Sequence, residues 1–244
     1  IAIAANWQYL GRIFQPPFTV GGKEANTLKI ATYNVDSFGN EQSGYSCKEI
    51  AAYMKEHRVD IICFQEFAGN RYFTSDSIRN AFADWQYAVI PQASDSTPIL
   101  QVALFSKYPV KDSRLITYPD SKNCSMWCDL DVNGQTVRVF NSHLQTTEVS
   151  QNKRRLEREL AKNELTGREE AVAKQLLEGL NENFRKRAAQ AKTLEQLIRT
   201  TPYPILVCGD FNSLPSSYTY STVKGDNLQD GFQTCGHGYM YTFR

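Results

Sequence analysis

One stretch of the sequence decides the fold: Ile205-Leu206-Val207-Cys208-Gly209-Asp210-Phe211-Asn212-Ser213. Its first four residues are apolar and predict a short buried strand, and its last five form a polar turn that begins at Gly209. Asp210 and Asn212 therefore stand where a buried strand leaves the core. Such residues are common in ordinary turns, but at the edge of a sheet they can also line a cleft.

Three other apolar runs end in a polar residue in the same way. Asn34 follows residues 30–33, Glu66 follows residues 61–65, and His143 follows residues 137–142. Each of these residues alone would more often be a turn, surface or structural residue than a functional one. Because strand ends that meet at one edge of a sheet place their side chains around one cleft, the four exits together predict a single site.

These side chains suit the cleavage of phosphate esters. Hard cations such as Mg²⁺ prefer oxygen ligands, which Glu66 can supply as an anion and Asn34 as a neutral amide. His143 can donate a hydrogen bond to a phosphate oxygen. Asp210 can orient or deprotonate an attacking water, and Asn212 can hold that water or the phosphate in place.

The rest of the sequence predicts a mixed α/β protein. Strands are expected at residues 28–35, 59–64, 87–91, 101–106, 126–132 and 136–142, and helices at residues 46–57 and 74–82. Asn133-Gly134 predicts a tight hairpin turn. Residues 148–198 alternate acidic and basic side chains, which indicates two solvated helices with a break at Thr166-Gly167. Strands with helices around them suggest a two-layered sheet core flanked by helices.

Composition describes an ordinary soluble globular protein. The 244 residues are 41% hydrophobic and 22% charged, with a formal net charge of +1. That charge does not favour tight, non-specific binding of nucleic acid, which stays an open partner class. No apolar stretch reaches the ~18–20 residues of a membrane span. The sequence begins at Ile1, so a signal or anchor could precede it, and the localisation stays open.

The six cysteines fall into two groups. Cys63 and Cys208 lie inside apolar runs and are expected to be buried. The other four lie in more polar surroundings, where one or two disulfides could form: Cys47, Cys124, Cys128 and Cys235.

The ordered motifs resemble those of the endonuclease/exonuclease/phosphatase superfamily, which includes DNase I-like nucleases, inositol polyphosphate 5-phosphatases, neutral sphingomyelinases and deadenylases. The matching segments are residues 29–35, 60–66, 103–110, 140–144 and 208–213, with residues 187–191 as the helix before the last strand. The resemblance implies an α/β (α+β) four-layered sandwich, in which two mixed sheets pack face to face with helices outside. It also implies Mg²⁺, with Mn²⁺ as a substitute.

Turn-forming Pro and Gly residues predict that residues 1–27 are an irregular lead-in. Residues 28–244 would be the domain that resembles this family, incomplete at its C-terminal end and with the helical excursion at 148–200. The resemblance also implies the role of each site residue. Asn34 and Glu66 would belong to the metal site. His143 would contact the phosphate, while Asp210 and Asn212 would position the nucleophile and the phosphate.

The sequence departs from the family at its end. The family closes with a strand carrying an Asp-Tyr pair and then a Ser-Asp-His motif, whereas this sequence stops at residues 239–244. His57, at a predicted helix end, and His237, in a glycine-rich loop, are expected to be structural and do not replace it. We expect a longer chain to supply the last strands. If the chain ends here, hydrolysis should be very weak or absent, because a general acid or base typically contributes roughly 10²–10⁴-fold to the rate.

Two functions therefore stay open: a metal-dependent phosphoesterase, and a non-catalytic binding or scaffold protein that retains the fold. The substrate is open as well, among nucleic acids, lipids and inositol phosphates. The basic stretches at residues 153–155 and 185–187 are interleaved with Glu and are expected to form solvated helix faces.

Overall fold

A computed structural model describes residues 27–91, 101–147 and 169–236. Several predictions lie outside these residues. They concern most of the lead-in, the first helix of the excursion with its basic stretch at 153–155, the break at Thr166-Gly167, the loop position of His237, and the terminal run at 239–244.

The first sheet is formed by the N-terminal half of the chain. Its strands are β1 (Ile30–Asn34), β2 (Ile61–Gln65), β3 (Tyr87–Val89) and β4 (Val102–Ser106), in the order β1-β2-β4-β3. β1 and β2 are parallel, and β4 is antiparallel to both β2 and β3. Helices α1 (Tyr45–Glu56) and α2 (Ser75–Ala81) belong to this half.

The second sheet is formed by the C-terminal half. Its strands are β5 (Val110–Thr117), β6 (Cys124–Val132), β7 (Gln135–His143) and β8 (Ile205–Asp210), in chain order across the sheet. β5, β6 and β7 are antiparallel neighbours, and β8 is parallel to β7. Helices α3 (Glu169–Arg199), α4 (Tyr218–Lys224) and α5 (Gly231–Cys235) belong to this half.

Three apolar clusters show how the layers stack. The middle cluster joins the facing sides of the two sheets, with Cys63 and Leu104 against Met126 and Val139. A second cluster packs α1 and α2 on the outer side of the first sheet, and a third packs α3 and α4 on the outer side of the second. The order helices, sheet, sheet, helices confirms the predicted four-layered sandwich.

Local sequence accounts for several of the boundaries. Thr74 caps α2 by accepting a hydrogen bond from the Ser77 N–H at 3.3 Å, and Ser217 caps α4 through the Tyr220 N–H at 3.1 Å. Asn133 and Gly134 have φ of 54° and 87°, which confirms the predicted tight hairpin between β6 and β7. His57 is the C-cap of α1, as predicted.

Two strand predictions need correction. β5 was not predicted, because it is an edge strand whose mostly exposed residues break the apolar pattern that marks a half-buried strand. β8 was predicted to be buried but is only partly buried along its length. Among the described residues it has a strand partner on one side only, so its apolar side chains are covered less than those of β2 and β4.

The sequence left one or two disulfides open, and the structure has none among the six cysteines, all of which lie in the described residues. Cys124 and Cys128 alternate with Met126 on the face of β6 that packs between the sheets, and Cys47 lies on the buried face of α1. Cys63 is buried as predicted, whereas Cys208 is only partly buried. Burial raises the pKa of the Cys47 and Cys124 thiols to about 12, which makes them unreactive.

In the described part of the chain, none of the helices combines the length and the apolar character that a transmembrane span needs.

Candidate active site

The predicted site residues meet at one end of the two sheets. Asn34 and Gln65 are paired at the ends of the parallel strands β1 and β2, and Glu66 comes next. In the other sheet, His143 and Asp210 are paired at the ends of the parallel strands β7 and β8. Both parallel pairs end on the same side of the sandwich. The segments that leave these four strands therefore lie in one region, as the sequence predicted.

The amide group of Asn34 connects the two sheets. Its Nδ2 donates a hydrogen bond to Glu66 Oε1 at 2.9 Å and another to Asp210 Oδ2 at 3.1 Å. Its Oδ1 accepts the N–H of Asp36 at 3.1 Å, which leaves one lone pair on that oxygen. Two carboxylates from different sheets therefore share one neutral donor, and negative charge is concentrated between them.

Two of the site residues have an unusual backbone. Glu66 has φ of 51° and Asn212 has φ of 47°, both in the left-handed region. Asn tolerates this region, but a Glu there is uncommon and costs of order 1 kcal/mol or more. The turn at Glu66 takes its side chain out of the fully buried β2 and leaves it 25% exposed. The strained backbone of Glu66 thus places an accessible carboxylate at the end of β2.

The turn after β8 is held by Asp210 and Leu144. Asp210 Oδ1 accepts the N–H of Asn212 at 2.9 Å, and the Asp210 carbonyl accepts the N–H of Leu144 at 2.9 Å. The side chain of Asn212 donates to the Leu144 carbonyl at 3.0 Å. The exits of β7 and β8 are therefore joined by both backbone and side-chain bonds.

His143 is fully buried at the centre of this arrangement. Its Nε2 lies 3.5 Å from Glu66 Oε1, and neither ring nitrogen has a hydrogen-bond partner among the described residues. Burial lowers the pKa of His143, and the nearby charges of Asp210 and Glu66 oppose that shift only in part. The ring is therefore neutral near pH 7 and has one N–H to donate.

A buried pair of amide side chains, Gln65 and Asn141, lies beneath the site and was not predicted from the sequence pattern. Gln65 Nε2 donates to Asn141 Oδ1 at 2.6 Å, across the space between the sheets. Asn141 Nδ2 donates in turn to the carbonyls of Phe64 and Ala103 at 2.9 and 3.0 Å. The positions of Gln65 and Asn141 within otherwise apolar strand sequences could have indicated a buried polar contact between the sheets.

Asn141→Ala should lower the free energy of unfolding by about 2–4 kcal/mol, because it leaves two buried carbonyls without their donor and breaks the link between the sheets. Urea unfolding measures this as a lower midpoint at an unchanged slope. Asn80→Ala, at an exposed position in α2, is the control and should change stability by less than about 0.5 kcal/mol. Equal effects of the two variants would show that the amide pair does not stabilise the fold.

The donor set fits a hard divalent cation. Although Glu66, His143 and Asp210 lie close together, no three His, Cys, Asp or Glu side chains of the described residues are arranged so that they alone could hold a metal ion. A Glu66 carboxylate with an Asn34 amide oxygen is a small set of oxygen donors, and Mg²⁺ commonly completes such a set with water and substrate phosphate. The structure brings all five predicted residues together, while the role of each stays a prediction.

Comparison with known proteins identifies the family to which the chain is similar. A family model described as the Endonuclease/Exonuclease/phosphatase family matches residues 31–244. No curated protein sequence matches the chain.

Solved structures share the fold at low identity. A mutant β-toxin of Staphylococcus aureus with bound magnesium ions superposes with a TM-score of 0.56 at 17% identity, over 81% of this chain and 69% of that one. TDP2 of D. rerio, complexed with a single-strand DNA product, gives 0.54 at 15% identity, over 81% and 65%. Sphingomyelinase C of Streptomyces griseocarneus gives 0.54 at 18% identity, over 80% and 67%. This chain spans about two thirds of each of these three proteins.

Proposed function

Since the chain belongs to the endonuclease/exonuclease/phosphatase family, we propose that it hydrolyses phosphate esters with the help of a divalent metal ion. The observation that carries this proposal is the Asn34 amide, which holds Glu66 and Asp210 together at the common end of both sheets. Two carboxylates in one partly buried place favour a cation, and a cation next to a neutral imidazole favours a phosphate group.

Glu66 and Asn34 are the residues that would hold the metal. Glu66 offers a partly exposed carboxylate, and Asn34 offers the free lone pair of its amide oxygen. When bound, Mg²⁺ or Mn²⁺ would neutralise charge that develops on the phosphoryl oxygens and the leaving group.

The remaining residues would act on the phosphate and the water. His143 is neutral and its ring nitrogens have no hydrogen-bond partner among the described residues, so its buried N–H would donate to a non-bridging phosphoryl oxygen that reaches it. Asp210 is held at one oxygen by the Asn212 N–H and at the other by Asn34. Each oxygen keeps a lone pair with which the carboxylate can orient a water and accept its proton. Asn212, fixed by the Leu144 carbonyl, would hold that water or the phosphate.

Removal of metal should lower the hydrolysis of a generic diester, bis(p-nitrophenyl) phosphate, by about 100-fold or more, because the bound ion would supply the positive charge that neutralises the phosphate. EDTA followed by Mg²⁺ or Mn²⁺ tests both the loss and the recovery. Glu66→Gln should raise the Mg²⁺ concentration needed for half-maximal rate. Glu49→Gln, at an exposed position in α1, should not. Full activity in EDTA would overturn the proposal.

The substrate class can be tested in the same assay format. Among the structural neighbours, one TDP2 is complexed with a single-strand DNA product and another protein is a sphingomyelinase, so DNA and sphingomyelin are natural first substrates to compare. DNA, RNA, sphingomyelin and inositol phosphates should be compared at equal concentration. Metal binding without turnover of any of them would instead favour a non-catalytic protein that retains the fold.

A further inference from the structure

A buried arginine lies beside the site. Arg187, on α3, is 2% exposed. Burying a guanidinium is costly unless its donors are matched, yet no acidic residue bonds to it among the described residues. Its Nε donates to the Gln145 carbonyl at 2.8 Å and its Nη1 to Ser213 Oγ at 3.2 Å, while Nη2 has no partner in that part of the chain.

The two partners of Arg187 belong to the two chain exits of the second sheet. Gln145 follows His143 by two residues, and Ser213 directly follows Asn212. The planar guanidinium therefore spans from the segment that carries the candidate phosphate contact to the turn that carries the candidate nucleophile pair. A lysine in its place has a single ammonium group and cannot reproduce the fixed fork of donors.

Two other residues of α3 also bind the segment that follows β7. Gln190 Oε1 accepts the N–H of Gln145 at 2.8 Å, and Asn183 Oδ1 accepts from the Gln145 side chain at 3.1 Å. The backbone of Gln145 is thus bound to α3 at both its N–H and its carbonyl. Arg187 is the residue of this group that also reaches the turn after β8.

Burial lowers the pKa of Arg187, and two features of its surroundings oppose that effect. The ring of Phe184 lies with its centroid 5.3 Å from the guanidinium carbon, a distance typical of a cation–π contact. The charge of Asp210 also acts on Arg187 and partly offsets the effect of burial, which lowers its pKa. The guanidinium stays charged, since an arginine pKa lies far above neutral.

We propose that Arg187 is a positioning residue for the phosphoesterase site: by bonding to Gln145 and Ser213 it fixes the separation of His143 from Asp210 and Asn212. This inference rests on the proposed function, since it assigns a role within the same site. A misplacement of catalytic groups by about 1 Å can cost on the order of 10²-fold in rate.

Arg187→Lys and Arg187→Met test the proposal in the full chain. Both should lower kcat by about 10- to 100-fold and leave KM within about threefold, because ground-state binding is retained while the reacting groups are misplaced. Ile198→Ala is the control, since it removes a buried apolar side chain further along the same helix and breaks no hydrogen bond to Gln145 or Ser213. It should lower Tm and leave kcat within about twofold. All rates are measured well below the lowest Tm.

Hydrogen exchange of the Leu144 and Asn212 amides, both bonded to Asp210, gives a readout that does not need activity. Arg187→Lys should speed exchange at these two amides, and Ile198→Ala should not. Unchanged exchange, or a kcat loss no greater than that of Ile198→Ala, would overturn the positioning role. An inactive wild type would count against the proposed function, and the exchange data would still decide the role of Arg187.

Discussion

Asp210→Asn should lower the rate of phosphate ester hydrolysis by roughly 10²–10⁴-fold, the range expected for loss of a general base. The substitution keeps the shape of the side chain but removes the negative charge that orients and deprotonates the water. In the wild type, the two oxygens of Asp210 accept one hydrogen bond each, from Asn34 and from the Asn212 N–H. An asparagine keeps one acceptor oxygen and so retains one of these bonds. The free energy of unfolding should therefore fall by only about 1–2 kcal/mol.

The measurement is initial rate with saturating Mg²⁺, together with urea unfolding of the same preparation. Asp226→Asn makes the same chemical change at an exposed position that follows α4 and should retain the wild-type rate. Wild-type activity in Asp210→Asn would remove Asp210 from the mechanism, whatever its effect on stability.

Gly209→Ala should destabilise the protein by about 3 kcal/mol or more and reduce activity with it. Gly209 has φ of 139°, a conformation that side chains rarely adopt. A Cβ there would clash with the Ser142 carbonyl oxygen and lie 2.6 Å from the Ser142 nitrogen. Ser142 belongs to the neighbouring strand and is paired with Gly209, so relief requires opening the sheet beside His143 and Asp210.

Gly179→Ala, within α3, is the matched control. It makes the same change in the unfolded chain, has open space around the new methyl group, and should stabilise the helix by about 0.5–1 kcal/mol. Urea unfolding of the two variants should therefore move in opposite directions. A Gly209→Ala variant as stable as the wild type would mean that β7 and β8 are not paired at this point.

The elements that bury an apolar face were predictable from the sequence. β2 and β4 are continuous apolar runs because both of their faces are covered, and α1 shows the spacing of a helix with one buried side. The site was predictable because a polar residue at the end of a buried run is informative, and four such exits were in the order of a known family. β5 gave no such signal, since an edge strand needs no apolar pattern.

The support around the site could not be predicted from the sequence pattern. Asn183, Arg187 and Gln190 lie on a helix whose alternating charges indicated a solvated surface, yet all three are buried. Their partners are backbone atoms and side chains of segments distant in sequence. The spacing of apolar and charged residues within a helix cannot predict such contacts. The Asn34 bridge to Asp210 is likewise visible only once the two sheets are in place.

A crystal structure of the protein grown with Mn²⁺ and inorganic phosphate tests the central claim most directly, because anomalous scattering locates the ion without assumption. We expect one Mn²⁺ bound to a carboxylate oxygen of Glu66, with the phosphate beside the ion and within hydrogen-bond distance of His143. An ion and a phosphate bound elsewhere, with the site between Glu66 and Asp210 empty at saturating Mn²⁺, would contradict the account.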